Sequence, residues 1–205
     1  MIFVKYPEPG RVKTRLAQDL GKQRATEIYK GIAENVILRL SKSSNYKTII
    51  FFDPPEMEKG VRNWLGGDGN RFFPQGGDSL GIKMLNALKQ VFINGASRAV
   101  IIGSDCIEIS EDIVSQAFKA LNVVDVVIGP AEDGGYYLLG LKRLIPEIFY
   151  DIEWSTELVL HQTIKRLKAN QLNFKLLKTL KDVDHSGDLS HDIILKIQKR
   201  QTEAC

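Results

Sequence analysis

The sequence lacks most of the features that would assign it to a specialised class of protein. Its 205 residues include only two cysteines, Cys106 and Cys205, too few for a disulfide framework or a cysteine-rich metal cluster. The three histidines are scattered, a pattern that does not indicate a zinc site. The apolar runs have the length of strands, whereas a membrane-spanning helix needs about 20 apolar residues. The net charge is only +3, and nucleic-acid binding needs a concentrated basic face. We therefore expect neither a membrane span nor a nucleic-acid partner.

The small number of cysteines favours a reducing, cytoplasmic location. Lys5 and two prolines interrupt the apolar start of the chain, so we expect no cleavable signal peptide. The length and an apolar content of 43% suit one domain with a sizeable core, spanning residues 1–205.

Short β-branched runs alternate with segments of helical period along the chain. The runs are IFV, KTIIFF, RAVIIG and VDVVIGP. Between the first two, apolar residues recur at spacings of three and four, which predicts a helix: Ala25, Ile28, Tyr29, Ile32, Ala33, Val36 and Ile37. A similar pattern follows PQGGDS, and a third such helix is predicted from Ser110, a favourable N-cap. YYLLGL follows VVIGPAEDGG without an intervening helix, which indicates an antiparallel strand. The sequence therefore predicts an α/β fold with a mostly parallel mixed sheet covered on both faces.

In such folds ligands bind beyond the carboxyl ends of the strands, and the first strand is followed by the basic loop KYPEPGRVKTRL. Lys5, Arg11, Lys13 and Arg15 lie in it against one acid, Glu8. A basic, glycine-bearing loop that leads into a helix can hold a phosphate group. It is neither a Walker loop nor a complete GxGxxG motif. The alternative is a solvated basic surface loop, and the residues alone leave both interpretations open.

A single carboxylate, Asp105, follows the run RAVIIG. It can make a turn or cap, or it can be an oxygen ligand of Mg²⁺ or Mn²⁺, since such ions often take one or two protein carboxylates beside substrate phosphates. Its neighbour Cys106 is expected to be a small packing residue.

Two further acidic segments follow later strands. In GPAEDGGYYLLGL, the spacing of Asp133 and the two glycines favours a hairpin turn over a polar binding site. In DVDHSGDL, the acids can cap a helix. Asp182 and Asp184 are two residues apart on an extended stretch and so point the same way, and one of them can meet a metal held by Asp105.

Together these segments resemble a known family. The order FVKYPEPGRVKTRLA, PQGGDSLGIKM, VIIGSDC, VVIGPAEDGGYYLLGL, IEWST and DVDHSGDL resembles bacterial proteins described as glycosyltransferases of the GT-A, nucleotide-diphospho-sugar transferase fold. That family includes members assigned to arsenosugar biosynthesis and many without an assigned function. The chain is also similar, more distantly, to molybdenum-cofactor and lactyl-phosphate nucleotidylyltransferases. The resemblance covers nearly the whole chain and implies a Rossmann-like, three-layer α/β/α fold.

The resemblance also implies roles for individual residues. The nucleotide would lie near Lys5, Pro7, Gly10, Lys13, Arg15, Gln75 and Ser104. The sugar or acceptor would lie near Gly134, Gly135, Tyr136 and Trp154. Asp105 and Asp184 would hold Mg²⁺ or Mn²⁺, and Asp133 is the candidate general base. The sequence departs from the family pattern at Ile107, where a proline is usual, at Ser79, where an acid is usual, and at Lys83, which replaces an arginine.

These implications predict a metal-dependent glycosyltransferase that moves a sugar from a nucleotide-diphosphate donor to a small acceptor, with Asp105 and Asp133 as its catalytic residues. One alternative is a nucleotidylyltransferase that uses a nucleoside triphosphate and releases pyrophosphate. Another is a protein that binds nucleotides without turnover, which the departures at Ile107 and Ser79 keep open. A homodimer also stays open as the assembly state.

Overall fold

The computed structural model describes residues 1–66 and 71–198. The helices and strands alternate along the chain in the following order: β1 Ile2–Lys5, α1 Thr14–Leu20, α2 Lys22–Ser41, β2 Ile50–Asp53, α3 Glu58–Leu65, β3 Phe72–Pro74, α4 Leu80–Ile93, β4 Ala99–Gly103, α5 Glu111–Ala120, β5 Val126–Pro130, β6 Tyr136–Leu141, α6 Val159–Ala169, β7 Phe174–Leu176 and α7 His191–Gln198. Cys205 lies outside the described residues. Among the residues described, no helix is both long and apolar enough to cross a membrane.

Within the described residues, seven strands form one sheet in the order β3-β2-β1-β4-β6-β5-β7. Strand β6 runs antiparallel to β4 and β5, and the remaining neighbours pair in parallel. The mostly parallel mixed sheet and its antiparallel strand after VVIGPAEDGG are therefore confirmed. One apolar cluster packs on each face, with α2 and α5 on one side and α4 on the other. This is the predicted three-layer α/β/α arrangement.

The helices form where the apolar period and the caps place them. Every residue of the predicted stripe on α2 is buried. Ser110 caps α5 by accepting a hydrogen bond from the Ile113 amide at 3.3 Å, as predicted. Ser79 does the same for α4, accepting from the Ile82 amide at 3.3 Å. Serine and aspartate cap helices about equally well, so the departure at Ser79 keeps the start of α4 intact.

Candidate functional site

Most of the predicted site residues converge at the carboxyl ends of the central strands. Two adjoining cavities lie there, and they share a set of lining residues: Lys5, Lys13, Leu80, Asp105 and Tyr136. The inner cavity, about 280 Å³, has mainly apolar walls. The outer cavity, about 840 Å³, is lined largely by charged and polar side chains. A ligand with an apolar part and a charged part would span both.

Lys13 lies at the boundary between the two cavities. It precedes α1 in a left-handed backbone conformation, with φ of 44°, and its side chain is 4% exposed. Its Nζ atom lies 3.3 Å from Asp105 Oδ2 and 3.2 Å from Asp184 Oδ1. Burial alone would lower the pKa of Lys13, but Asp105, Asp184 and Asp182 outweigh burial and raise it. The site therefore contains a permanent, buried positive charge.

The remaining residues of the first loop divide into two groups. Arg15 Nη1 lies 3.0 Å from Asp184 Oδ2, and the arginine side chain is 60% exposed at the outer cavity. Lys5 lines both cavities. Pro7 and Gly10 line neither of them. Gly10 has φ of 86°, which glycine adopts without strain, so these two residues shape the loop.

Asp182 lines the outer cavity, although the resemblance implied Asp184 as the metal ligand. As predicted, it lines the same cavity as Asp184. Its Oδ1 atom is buried and accepts no hydrogen bond from residues 1–66 or 71–198. Burial, followed by the negative charge of Asp105, raises the pKa of Asp182 to about 7, while Lys13 opposes the shift. The spacing of the two aspartates indicated their common direction, but nothing in the sequence indicated this burial.

Cys106 and Asp188 support the site without lining it. Cys106 is buried, and burial raises the pKa of its thiol, which agrees with the expected packing role. Asp188 accepts hydrogen bonds from the backbone amides of Asp184 and His185, at 3.1 and 2.8 Å. It also pairs with Lys181 Nζ at 2.7 Å. These contacts hold the DVDHSGDL segment in place.

Ser104 is held through a residue that the sequence analysis counted only as part of the core. The Tyr29 hydroxyl accepts from the Lys5 amide at 2.8 Å and donates to the Lys5 carbonyl at 3.0 Å. It also lies 3.1 Å from Ser104 Oγ. Tyr29 thus joins the ends of β1 and β4. The helical period predicted its burial but gave no signal for its hydroxyl group.

Asp133 and its neighbours form the opposite wall of the outer cavity. Asp133 Oδ1 accepts from the Gly135 amide at 2.9 Å, and both residues line the cavity. Gly134 does not line it; its φ is 85°, and its Cα packs against the backbone of Glu157. The predicted hairpin turn and the predicted wall of the site are therefore the same structure.

Trp154 closes this wall. Its ring lies edge-on to Tyr136 at 6.5 Å and packs against Phe149 at 6.4 Å. A Cβ atom on Gly81, in the first turn of α4, would collide with the Trp154 indole. The absence of a side chain at Gly81 allows the indole to lie against the helix. Leu80 is the first residue of the apolar pattern that follows PQGGDS. Its side chain is 43% exposed at the two cavities rather than buried.

Gln75 and Lys83 belong to the PQGGDSLGIKM segment. Gln75 is 6% exposed and lines the inner cavity. Lys83 Nζ lies 2.7 Å from Asp53 Oδ1. The sequence did not predict this ion pair, because no motif indicated that the end of β2 lies beside α4. Lys83 lines neither cavity.

The resemblance implies a divalent ion, and the acidic side chains of the site are the candidate ligands for it. Within residues 1–66 and 71–198, no group of three or more His, Cys, Asp or Glu side chains is arranged to hold a metal. Asp105 and Asp184 nevertheless face one cation together, the Lys13 ammonium. Asp182 adds a buried oxygen without a hydrogen bond in the described chain. Hard oxygen atoms suit Mg²⁺ and Mn²⁺. The residues fit an ion held jointly with a ligand's phosphates, and not an ion held by the protein alone.

Comparison with known proteins agrees with this fold. Residues 36–156 match the model of a family described as an uncharacterised protein conserved in bacteria, DUF2064. A candidate nucleotide-diphospho-sugar transferase from Desulfovibrio desulfuricans G20 is 30% identical, with 99% of this chain and 94% of that chain covered and a TM-score of 0.84. No curated protein matches the chain.

Two more distant structures share the fold. The inositol-1-phosphate CTP transferase from T. maritima has 9% identity over 97% of this chain and 94% of that chain, with a TM-score of 0.62. The molybdopterin-guanine dinucleotide biosynthesis protein A from Archaeoglobus fulgidus has 12% identity over 98% of each chain, with a TM-score of 0.54.

Proposed function

The chain belongs to the DUF2064 family of uncharacterised bacterial proteins, and from this premise we propose that it is a transferase that uses a nucleotide-activated donor, a nucleotide-diphospho-sugar. The observation that carries the proposal is the buried Lys13 ammonium at the boundary of an apolar and a polar cavity. The candidate nucleotide-diphospho-sugar transferase from D. desulfuricans supports the choice of donor.

The charges of the site suit the departure of a nucleoside diphosphate. As the bond between the sugar and the diphosphate breaks, negative charge develops on the leaving oxygen and must be neutralised. Lys13 and Arg15 supply fixed cations for it, and both now pair with Asp184. Asp105 and Asp184 would hold Mg²⁺ or Mn²⁺, which would add Lewis-acid neutralisation of the same charge.

The acceptor hydroxyl must lose a proton as it attacks the sugar. Asp133 lies on the wall of the outer cavity with its Oδ1 bound by the Gly135 amide. This contact orients the carboxylate and leaves Oδ2 as the proton acceptor. Tyr136 and Trp154 line the same cavity and would bind the sugar or the acceptor by contact with their rings.

The products distinguish this reaction from the alternative that uses the same fold. A panel of nucleotide sugars and small hydroxyl acceptors, incubated with Mg²⁺ or Mn²⁺, should release nucleoside diphosphate. Release of pyrophosphate from a nucleoside triphosphate would instead identify a nucleotidylyltransferase. Tight nucleotide binding without turnover across both panels would contradict the proposed activity.

The Asp105→Asn substitution tests the metal independently of turnover. We expect Asp105→Asn to abolish the part of nucleotide binding that depends on Mg²⁺ or Mn²⁺, measured by calorimetry, because Asp105 is one of the two carboxylates proposed to hold the ion. The thermal midpoint in metal-free buffer should hardly change, since Asp105 is 44% exposed and its ion pair is partly solvated. Glu108→Gln, an exposed change in the same loop, is the control. Unfolding of Asp105→Asn without metal would show that Asp105 has a structural turn role instead.

A further inference from the structure

The inner cavity has walls that suit a flat ring with apolar faces. The inference drawn from it rests on the proposed function. Side chains of β1, β4, β6 and α4 make its walls, among them Phe3, Ile101, Leu139 and Met84. The cavity meets the Lys13 ammonium on one side. A nucleotide has a charged diphosphate and a flat base. With the diphosphate at Lys13, the base enters the inner cavity.

The Gln75 side chain is fixed within this cavity. Its Nε2 atom donates to the Phe51 carbonyl at 2.8 Å and to the Val4 carbonyl at 3.4 Å. Two carbonyl oxygens can face only the NH₂ end of an amide, so the orientation of the side chain is determined. The Gln75 backbone amide also donates to the Phe52 carbonyl at 2.7 Å. Backbone and side chain are thus both held to β1 and β2.

The carbonyl oxygen of the Gln75 side chain is the end left for a ligand. Gln75 is 6% exposed and lines the inner cavity, and its Oε1 accepts no hydrogen bond within the described part of the chain, residues 1–66 and 71–198. Oε1 is accessible from the cavity rather than fully enclosed, so a hydrogen-bond donor on a ligand can reach it. A ligand that covers it with another acceptor leaves it unpaired, which has a cost.

A second fixed polar group in the cavity also presents an acceptor. The Tyr29 hydroxyl has one proton and donates it to the Lys5 carbonyl. The Ser104 hydroxyl, 3.1 Å away, therefore donates its own proton to Tyr29. Its lone pairs then remain for a ligand. Gln75 and Ser104 together make the neutral polar wall of the cavity accept hydrogen bonds rather than donate them.

We propose that Gln75 selects the nucleobase, and that the protein binds nucleotides whose base carries an exocyclic amino group, a 4-aminopyrimidine or a 6-aminopurine. The amino group donates to Gln75 Oε1. A base with a carbonyl at that position, such as uracil or hypoxanthine, places an acceptor against an acceptor. Rotation of the Gln75 amide cannot relieve this, because the Phe51 and Val4 carbonyls need its NH₂ group.

Two ligand pairs test the proposal on the unmodified protein. CDP and UDP differ in the exocyclic group, amino against carbonyl, and in the adjacent ring nitrogen, which is an acceptor in cytosine and an N–H donor in uracil. ADP and IDP differ in the same two ways. Calorimetry with Mg²⁺ should give at least about tenfold tighter binding for the amino member of the pair that fits the cavity, as expected when the other member covers the acceptor and leaves it unpaired. Equal or tighter binding of UDP and IDP would overturn the role of Gln75 and leave the proposed function standing. Binding of GDP or dTDP alone would also overturn the role of Gln75, and binding of none of these six nucleoside diphosphates would instead contradict the proposed function.

Substitution of Gln75 gives a second readout. Gln75→Met keeps the length of the side chain and removes both the donor and the acceptor, so the preference between CDP and UDP, or between ADP and IDP, should disappear. Asn86→Ala is the matched control, because Asn86 bonds the nearby Gly76 carbonyl at 3.0 Å but does not line the cavity; its preference should not change. A Gln75→Met protein that keeps the full preference would refute the proposal. If that variant does not fold, the ligand pairs decide alone.

Discussion

Replacement of Gly134 by alanine tests whether the turn that carries Asp133 depends on a close backbone contact. Gly134 has φ of 85°, and a Cβ atom there would lie 2.8 Å from the carbonyl carbon and Cα of Glu157. The left-handed backbone costs an alanine about 1–2 kcal/mol. The collision is with main chain that cannot rotate away, and overpacking of this kind costs about 1–3 kcal/mol more. We therefore expect Gly134→Ala to lower the free energy of unfolding by about 2–5 kcal/mol.

Gly95→Ala is the matched control for this prediction. Gly95 has φ of 89°, and a Cβ atom there would meet nothing within 4 Å. Gly95→Ala should lower the free energy of unfolding only by the backbone cost of about 1–2 kcal/mol. Both variants gain equally in stability from a less flexible unfolded chain. Equilibrium urea unfolding of the two variants, followed by circular dichroism, measures the difference. Equal losses of stability would refute the argument that the Glu157 backbone limits the turn.

Two further predictions concern buried polar groups. Asp182 has a pKa of about 7 in the folded protein against an ordinary 3.8, so the folded state binds more protons between these values and stability should fall as pH rises from about 4 to 7. In metal-free buffer, Asp182→Asn should flatten this fall in pH-dependent thermal unfolding; an unchanged slope would contradict it. Tyr29→Phe removes the contacts to Lys5 and Ser104 and should cost about 1–3 kcal/mol in urea unfolding. Tyr150→Phe, at a side chain 50% exposed, should cost almost nothing, and equal losses would exclude a role for the Tyr29 hydroxyl.

The fold could be predicted from the sequence because its signals are periodic. The stripe on α2 and the missing helix before β6 each have a single simple interpretation, and both are confirmed. The meeting of Lys13 with Asp105 follows from the rule that strand ends share one edge of a sheet. The residues alone indicated that Asp182 or Asp184 could meet a metal held by Asp105, and the family resemblance selected Asp184.

Other parts of the site depend on packing that no local pattern contains. The free end of Gln75 is defined by carbonyl oxygens of two other strands. The burial of Asp182 depends on the segments that pack around it. The strand rule brings Lys13 and Asp105 to one edge of the sheet, but the position of the lysine between the carboxylates of Asp105 and Asp184, where a metal is proposed, appears only in three dimensions.

The position of Lys13 also has a consequence for how the chain folds. Its partners lie 92 and 171 residues further along the sequence, so the contacts close two very long loops. Contacts of high sequence separation slow folding, because the entropy of closing the loops must be offset before the contacts contribute. A partly folded chain, or one that ends before residue 184, cannot assemble the charge pattern around Lys13. Nucleotide binding at this site would therefore report that the segments from Lys13 to Asp184 have assembled, and it could serve as a kinetic probe of that assembly.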